Sequence, residues 1–267
     1  MTIAVGLAGL GSIGGVVAAG LDQGIPGLRL VAVASRQSDL ATRCSRFVNS
    51  VRILDPVQLA RACDVVVECA PAAAFREIAT PVLEAGKTLL TVSGAALLEN
   101  LDLVEAAAVA GGRIILATGA LVGLDAVRAA REGEISSAQL VTRKPPQSLA
   151  SARFVIDHGI ELAGLEQPLL LFSGTAREGA RAFPANANVV AALALAGIGS
   201  DRTHFELWAD PTKSRNCHRV IVESDSARFT VEIENVPDAD NPGTSRIAAL
   251  SLLAAVRSLT APLRVGS

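Results

Sequence analysis

The sequence predicts a two-part α/β protein: a doubly wound parallel sheet in the first half, then a second α+β domain whose sheet is mainly antiparallel. Three observations point there. Up to about residue 120, short and nearly continuous apolar runs alternate with Ala-rich helical stretches, as expected for parallel strands covered on both faces. After Gly119 this rhythm stops. Late in the chain, three strand-like segments follow one another with polar turns between them, which predicts an antiparallel meander.

Taken in order, strands are expected at residues 2–8, 28–35, weakly at 51–54, then at 64–69, 88–91 and 113–118. Helices are expected between them at 13–21, 39–47, 56–61, 73–85 and 101–110. In the second half the pattern gives a helix at 124–131 and strands at 138–142, 203–208, 217–223 and 228–234. A helix within 183–199 reads as capped by Asn186 and ended by Gly197 or Gly199. The last helix, with an apolar face over 247–259, is expected to start at Asn241-Pro242-Gly243-Thr244-Ser245, with Asn as cap and Pro in the first turn.

Composition removes several function classes. The 267 residues carry a net charge of −2 and only 3% aromatic side chains, which leaves neither the positive charge nor the stacking platforms that nucleic acid needs. Every apolar run is broken well short of the ~18 residues of a membrane span. The N-terminus lacks the basic segment and cleavage site of a secretion signal, so a cytoplasmic protein is expected. Cys44, Cys63, Cys69 and Cys217 show no CxxC spacing, and neither disulfides nor a metal site is expected.

Gly9-Leu10-Gly11-Ser12-Ile13-Gly14 matches G-x-G-x-x-G directly after a strand and directly before a helix, the context in which that motif binds a dinucleotide. Gly9 permits the tight turn, Gly11 lets backbone approach a pyrophosphate, and Gly14 allows close helix–strand packing, while the helix start at Ser12 and Ile13 attracts negative charge. NAD or NADP is therefore the expected cofactor on a Rossmann unit. The acid expected about 20 residues on is replaced by Ser35-Arg36. A hydroxyl and a guanidinium favour a 2′-phosphate and hence NADP or dual use; alternatively Arg36 points to solvent or stacks on adenine.

Hydride transfer at carbon needs a group that manages a proton, and the sequence offers three histidines. His158 reads as a helix C-terminal residue and His204 as a strand-surface residue. His218, after a polar loop and at the opening of a strand, is the candidate acid/base. Arg143 and Lys144 end a strand and either meet a substrate carboxylate or form a solvated basic turn. Asn186 and Asn188 either hold the nicotinamide end or cap a helix. Thr244 and Ser245 either bind an anion at a helix start or serve as its cap.

Gly6–Gly14, Thr118–Ala126, Phe183–Val189 and Asn216–Val220, together with Asn241-Pro242-Gly243-Thr244-Ser245, resemble the L-aspartate dehydrogenase family over nearly the whole chain. The resemblance implies that His218 is the acid/base, that Asn188 contacts the nicotinamide end, and that Ala120 and Val122 line the cofactor site, Val122 through its backbone. It implies a cofactor domain of residues 1–120 with 241–267, and a catalytic and dimerisation domain of residues 121–240. It further implies a homodimer that converts L-aspartate to iminoaspartate, then oxaloacetate and ammonia, and so serves pyridine nucleotide biosynthesis. Lys144, Thr244 and Ser245 are the candidates for the substrate carboxylates. Two other readings stand beside it: an NAD(P)-dependent imine or semialdehyde reductase of the same architecture, and a non-catalytic NAD(P)-binding sensor.

Overall fold

A computed structural model describes residues 2–239, 241 and 243–266. The chain divides into two compact units, Met1–Ala117 with Ala248–Val265, and Thr118–Ile247 with Gly266–Ser267.

The first unit runs β1 (Ile3–Ala8), α1 (Ser12–Asp22), β2 (Leu28–Ala34), α2 (Leu40–Cys44), β3 (Arg52–Ile53), α3 (Pro56–Ala62), β4 (Val65–Glu68), α4 (Phe75–Glu84), β5 (Thr88–Thr91), α5 (Gly94–Leu98), α6 (Asp102–Ala110) and β6 (Arg113–Leu116). Its strands lie in the order β3-β2-β1-β4-β5-β6, all parallel. This is the doubly wound Rossmann order, and it reverses direction between β1 and β4, so ligands are received at the carboxyl ends of those two strands. Local chemistry sets the boundaries. The Asp55 side chain accepts from the Gln58 backbone N–H while the Gln58 side-chain oxygen accepts from the Asp55 backbone N–H, with Pro56 in the first turn, so α3 starts there. The sequence pattern missed α5, whose Gly-Ala-Ala-Leu-Leu run is buried throughout.

The second unit holds α7 (Leu124–Arg131), β7 (Ile135–Lys144), α8 (Arg153–Asp157), β8 (Leu169–Thr175), α9 (Ala176–Ala182), α10 (Asn188–Ala196), β9 (Thr203–Ala209), β10 (Asn216–Ser224) and β11 (Arg228–Asn235). Its sheet is ordered β11-β10-β7-β9-β8. Three of the four pairings are antiparallel, and β7 with β9 is parallel. The expected meander is corrected here: β10 and β11 form a hairpin, but β7 sits between β9 and β10. The six residues between β9 and β10 carry the chain past β7 instead of turning it back onto β9. β8 had no counterpart among the expected strands.

The last helix, α11 (Arg246–Ser258), starts later than expected. Asn241 does not cap it, since its amide donates to Thr244 Oγ1 (3.2 Å); Pro242 lies outside the described residues. From Ala248 onward the helix belongs to the first unit, where Leu252 and Val256 are fully buried with Val5, Leu7, Val17, Leu30 and Val67. Burying two such side chains contributes roughly 3–6 kcal/mol, so the helix is an integral part of that core. No helix among the described residues is long and apolar enough to cross a membrane.

Candidate active site

The glycine turn meets the steric requirements of a dinucleotide cradle. Gly9 has φ +95°, and a Cβ there would lie 2.7 Å from the Cys69 carbonyl oxygen. A Cβ at Gly14 would lie 2.1 Å from the Gly9 oxygen, so only glycine lets α1 approach β1 this closely. At Gly11 a Cβ would meet nothing within 4 Å, leaving open space where a pyrophosphate would come up to the backbone. The first turn of α1, beginning with Ser12 and Ile13, carries no acidic residue to compete for its N–H groups. These residues fit the dinucleotide. Gly14→Ala is expected to abolish coenzyme binding in a calorimetric titration and to cost about 1–3 kcal/mol of stability in denaturant melts; unchanged binding would mean the turn does not form the cradle.

A cleft of about 520 Å³ starts at Gly9 and continues past Ser35, Arg36, Ala70, Pro71 and Glu77. Arg36 is largely exposed, and its guanidinium donates to Glu77 on α4. Ser35 Oγ accepts from the Gln37 backbone N–H (3.3 Å). Beside the cleft, Glu68 is fully buried at the end of β4. Thr91 Oγ1 (2.6 Å) and the Ala70 N–H (2.8 Å) both donate to it, and the Thr91 hydroxyl in turn accepts from the Ser93 N–H (2.8 Å). Burial raises its pKa, and its bonds tie the loops after β4 and β5 together. The expected sites included neither Glu68 nor Glu77. A lone acid closing the Val-Val-Val run of β4 was a readable signal for the first; nothing local marks the second, whose partner is 41 residues away.

In the second unit, alternation along β7 and β10 assembles a polar patch on a buried sheet face. The even-numbered residues from 138 to 144 in β7 and from 216 to 222 in β10 are buried: apolar Ala138, Leu140, Val220 and Val222 at one end, and polar Thr142, Lys144, Asn216 and His218 at the other. Thr142 is paired with His218 in the ladder, and Thr142 Oγ1 lies 3.0 Å from His218 Nδ1. His218 is only 2% exposed, and burial, helped by the positive charge of Lys144, pushes its pKa down to about 3. Its imidazole is therefore neutral at neutral pH. Lys144 is 3% exposed, and burial lowers its pKa to about 8. Its ammonium donates to Asn186 Oδ1 (2.8 Å) and the Gly243 carbonyl (2.9 Å), and among the described residues no carboxylate pairs with it.

Asn216 donates to Ser245 Oγ (3.2 Å), while its own side-chain oxygen is buried without a partner among the described residues. Asn235, paired with Asn216 across the hairpin, donates to the Ala120 carbonyl (2.9 Å) and so holds the loop carrying Ala120 and the exposed Val122. Asn186, Gly243 and Thr244 also line a pocket of about 330 Å³.

Several expectations are corrected by these contacts. Lys144 is not in a solvated turn, and Asn186 does not cap α10; it holds Lys144 instead, and α10 begins at the exposed Asn188. Arg143 is committed to Asp210 (3.0 Å) and stacks on Trp208 (4.7 Å), because alternation places it on the face opposite Lys144. Ser245 directly precedes the last helix, at its N-terminus as expected, and accepts from Asn216, while Thr244 accepts from Asn241. His158 caps α8 with Nδ1 2.9 Å from the Phe154 carbonyl, and His204 is half-exposed beside Ser173 and Glu206. The four cysteines are free thiols, three of them buried.

Comparison with known proteins gives a consistent picture. The family model described as "Aspartate dehydrogenase, C-terminal" matches residues 125–259, and "Homoserine dehydrogenase, NAD binding domain" matches residues 9–117. The chain is 51% identical to an L-aspartate dehydrogenase of Bradyrhizobium diazoefficiens, with 98% of this chain and 94% of the relative covered. It is 37% identical to an L-aspartate dehydrogenase of Methanosarcina mazei, covering 98% and 99%. Among solved structures, an aspartate dehydrogenase from Thermotoga maritima covers all of both chains with a TM-score of 0.79 at 23% identity, a likeness of fold.

Proposed function

The chain belongs to the L-aspartate dehydrogenase family, and we propose that it oxidises L-aspartate with NAD or NADP to iminoaspartate, which water converts to oxaloacetate and ammonia. The observation that carries this reading is the buried Lys144 ammonium, with no carboxylate partner among the described residues, on the same sheet face as the neutral imidazole of His218. A buried cation without a counter-ion is costly, and an anionic ligand relieves that cost. A dicarboxylic amino acid is such a ligand.

In this reading Lys144 receives a substrate carboxylate, with Thr244 and Ser245 close by as hydroxyl partners. Asn216, with an unused acceptor, suits an N–H of the substrate. His218 works from a neutral ring whose Nδ1 is fixed by Thr142, leaving Nε2 for the proton of the amine or of the water that attacks the imine. Burial is the larger cause of the low His218 pKa and Lys144 the smaller, and a carboxylate set against Lys144 offsets the smaller one, which raises the basicity of the imidazole.

The dinucleotide, when bound, supplies the hydride acceptor. Gly9, Gly11 and Gly14 shape its turn, Ser12 and Ile13 offer backbone N–H groups, and Ser35 and Arg36 meet the adenosine ribose. Ala120, Val122 and Asn188 are assigned to the nicotinamide end through the family's shared motifs. A homodimer is part of the same reading, supported by the outer edges of β8 and β11, which carry no further strand among the described residues. The test is nicotinamide reduction by the purified protein with L-aspartate, glutamate or alanine. Turnover with aspartate alone is expected; coenzyme binding without turnover on any of them would favour a sensor.

A further inference from the structure

We infer that Glu77 sets the coenzyme preference, acting as the ribose-recognising carboxylate that the end of β2 lacks. The inference rests on the proposed NAD(P) reading and refines it. In a Rossmann unit the acid closing the second strand accepts from the ribose 2′-hydroxyl and repels a 2′-phosphate. Here β2 closes on Ala34, and Ser35 and Arg36 follow. The missing carboxylate arrives from α4: Glu77 accepts a hydrogen bond from Arg36, and both side chains line the cleft that begins at Gly9. Ser35 lines the same cleft.

The two coenzymes differ only at the 2′ position. A hydroxyl there donates to a carboxylate, whereas a phosphate accepts from a guanidinium and brings its negative charge against Glu77. Arg36 and Glu77 therefore act as an opposed couple, the cation favouring NADP and the acid favouring NAD. Both side chains are largely exposed, so neither is locked in place. Either can turn toward the ribose, and Glu77 must be drawn off Arg36 before a phosphate gains the full guanidinium fork. Dual use with a bias set by Glu77 is the consequence.

The test is a calorimetric titration of the apo-protein with NADH and NADPH, comparing wild type, Glu77→Gln and Arg36→Gln, each checked for an unchanged melting temperature. Glu77→Gln keeps the shape and removes the charge. It is expected to shift the ratio of the two Kd values toward NADPH by about tenfold, or 1.4 kcal/mol, and Arg36→Gln to shift it the other way. The Glu77→Gln shift is expected to shrink as salt is raised, since the groups are exposed. A ratio unmoved by Glu77→Gln, or an equal weakening of both coenzymes, would overturn the inference while leaving the coenzyme reading intact. Failure of the wild type to bind either coenzyme would overturn both.

Discussion

Replacing His218 by alanine is expected to reduce turnover on aspartate by about 10²–10⁴-fold, the range for loss of a positioned acid/base, with NADH affinity unchanged. The ring lies in the second unit, while the glycine cradle lies wholly in the first, so coenzyme titration separates a chemical role from misfolding. A second readout follows from linkage. The imidazole protonates near 6.5 when unfolded and at about 3 when folded, so between these values the unfolded chain binds more protons. Stability present above pH 6.5 is thus lost as pH falls toward 3, and by pH 5 the loss is on the order of 2 kcal/mol. Urea melts of His218→Ala should flatten over that window. Wild-type turnover in the variant would remove His218 from the mechanism, and an unaltered acid profile would contradict its burial.

How much of this was legible in the sequence depends on how local each cause is. Parallel strands such as β4 and β5 are short apolar runs with both faces covered, and the glycine turn carries its steric reasons in six consecutive residues. β8 escaped because its residues are mostly half-exposed and show no clean alternation. α5 escaped because five buried residues are too few to show a helical period. The meander failed for a different reason: adjacency of β9 and β10 in sequence says nothing about a third strand inserted between them. His218 stood out as a histidine at the mouth of a strand. The state of Lys144 was hidden, because burial of a lysine depends on Asn186 and Gly243, 42 and 99 residues distant.

That lysine gives the other large effect. Lys144→Met is expected to raise the KM for aspartate by about 10²-fold, or ~2.7 kcal/mol, toward the lower end of the roughly 2–5 kcal/mol lost when one partner of a buried charge pair is removed, and to leave NADH binding alone. The same change should not weaken the apo-protein. Lys144 has a pKa of 10.5 unfolded and about 8 folded, so between pH 8 and 10.5 the unfolded chain holds the extra proton and stability rises with pH. Below pH 8 the buried charge costs roughly 3 kcal/mol, and methionine of similar length removes that cost. Apo wild type should therefore gain stability between pH 8 and 10.5 while Lys144→Met stays flat. Adding succinate at pH 7 should stabilise wild type but not the variant, since only a charged ammonium recruits the dianion. Equal stabilisation of both proteins would place the carboxylate contact elsewhere. A KM unchanged alongside a collapsed kcat would instead make Lys144 a proton-transfer group, with the substrate's charge held by other residues.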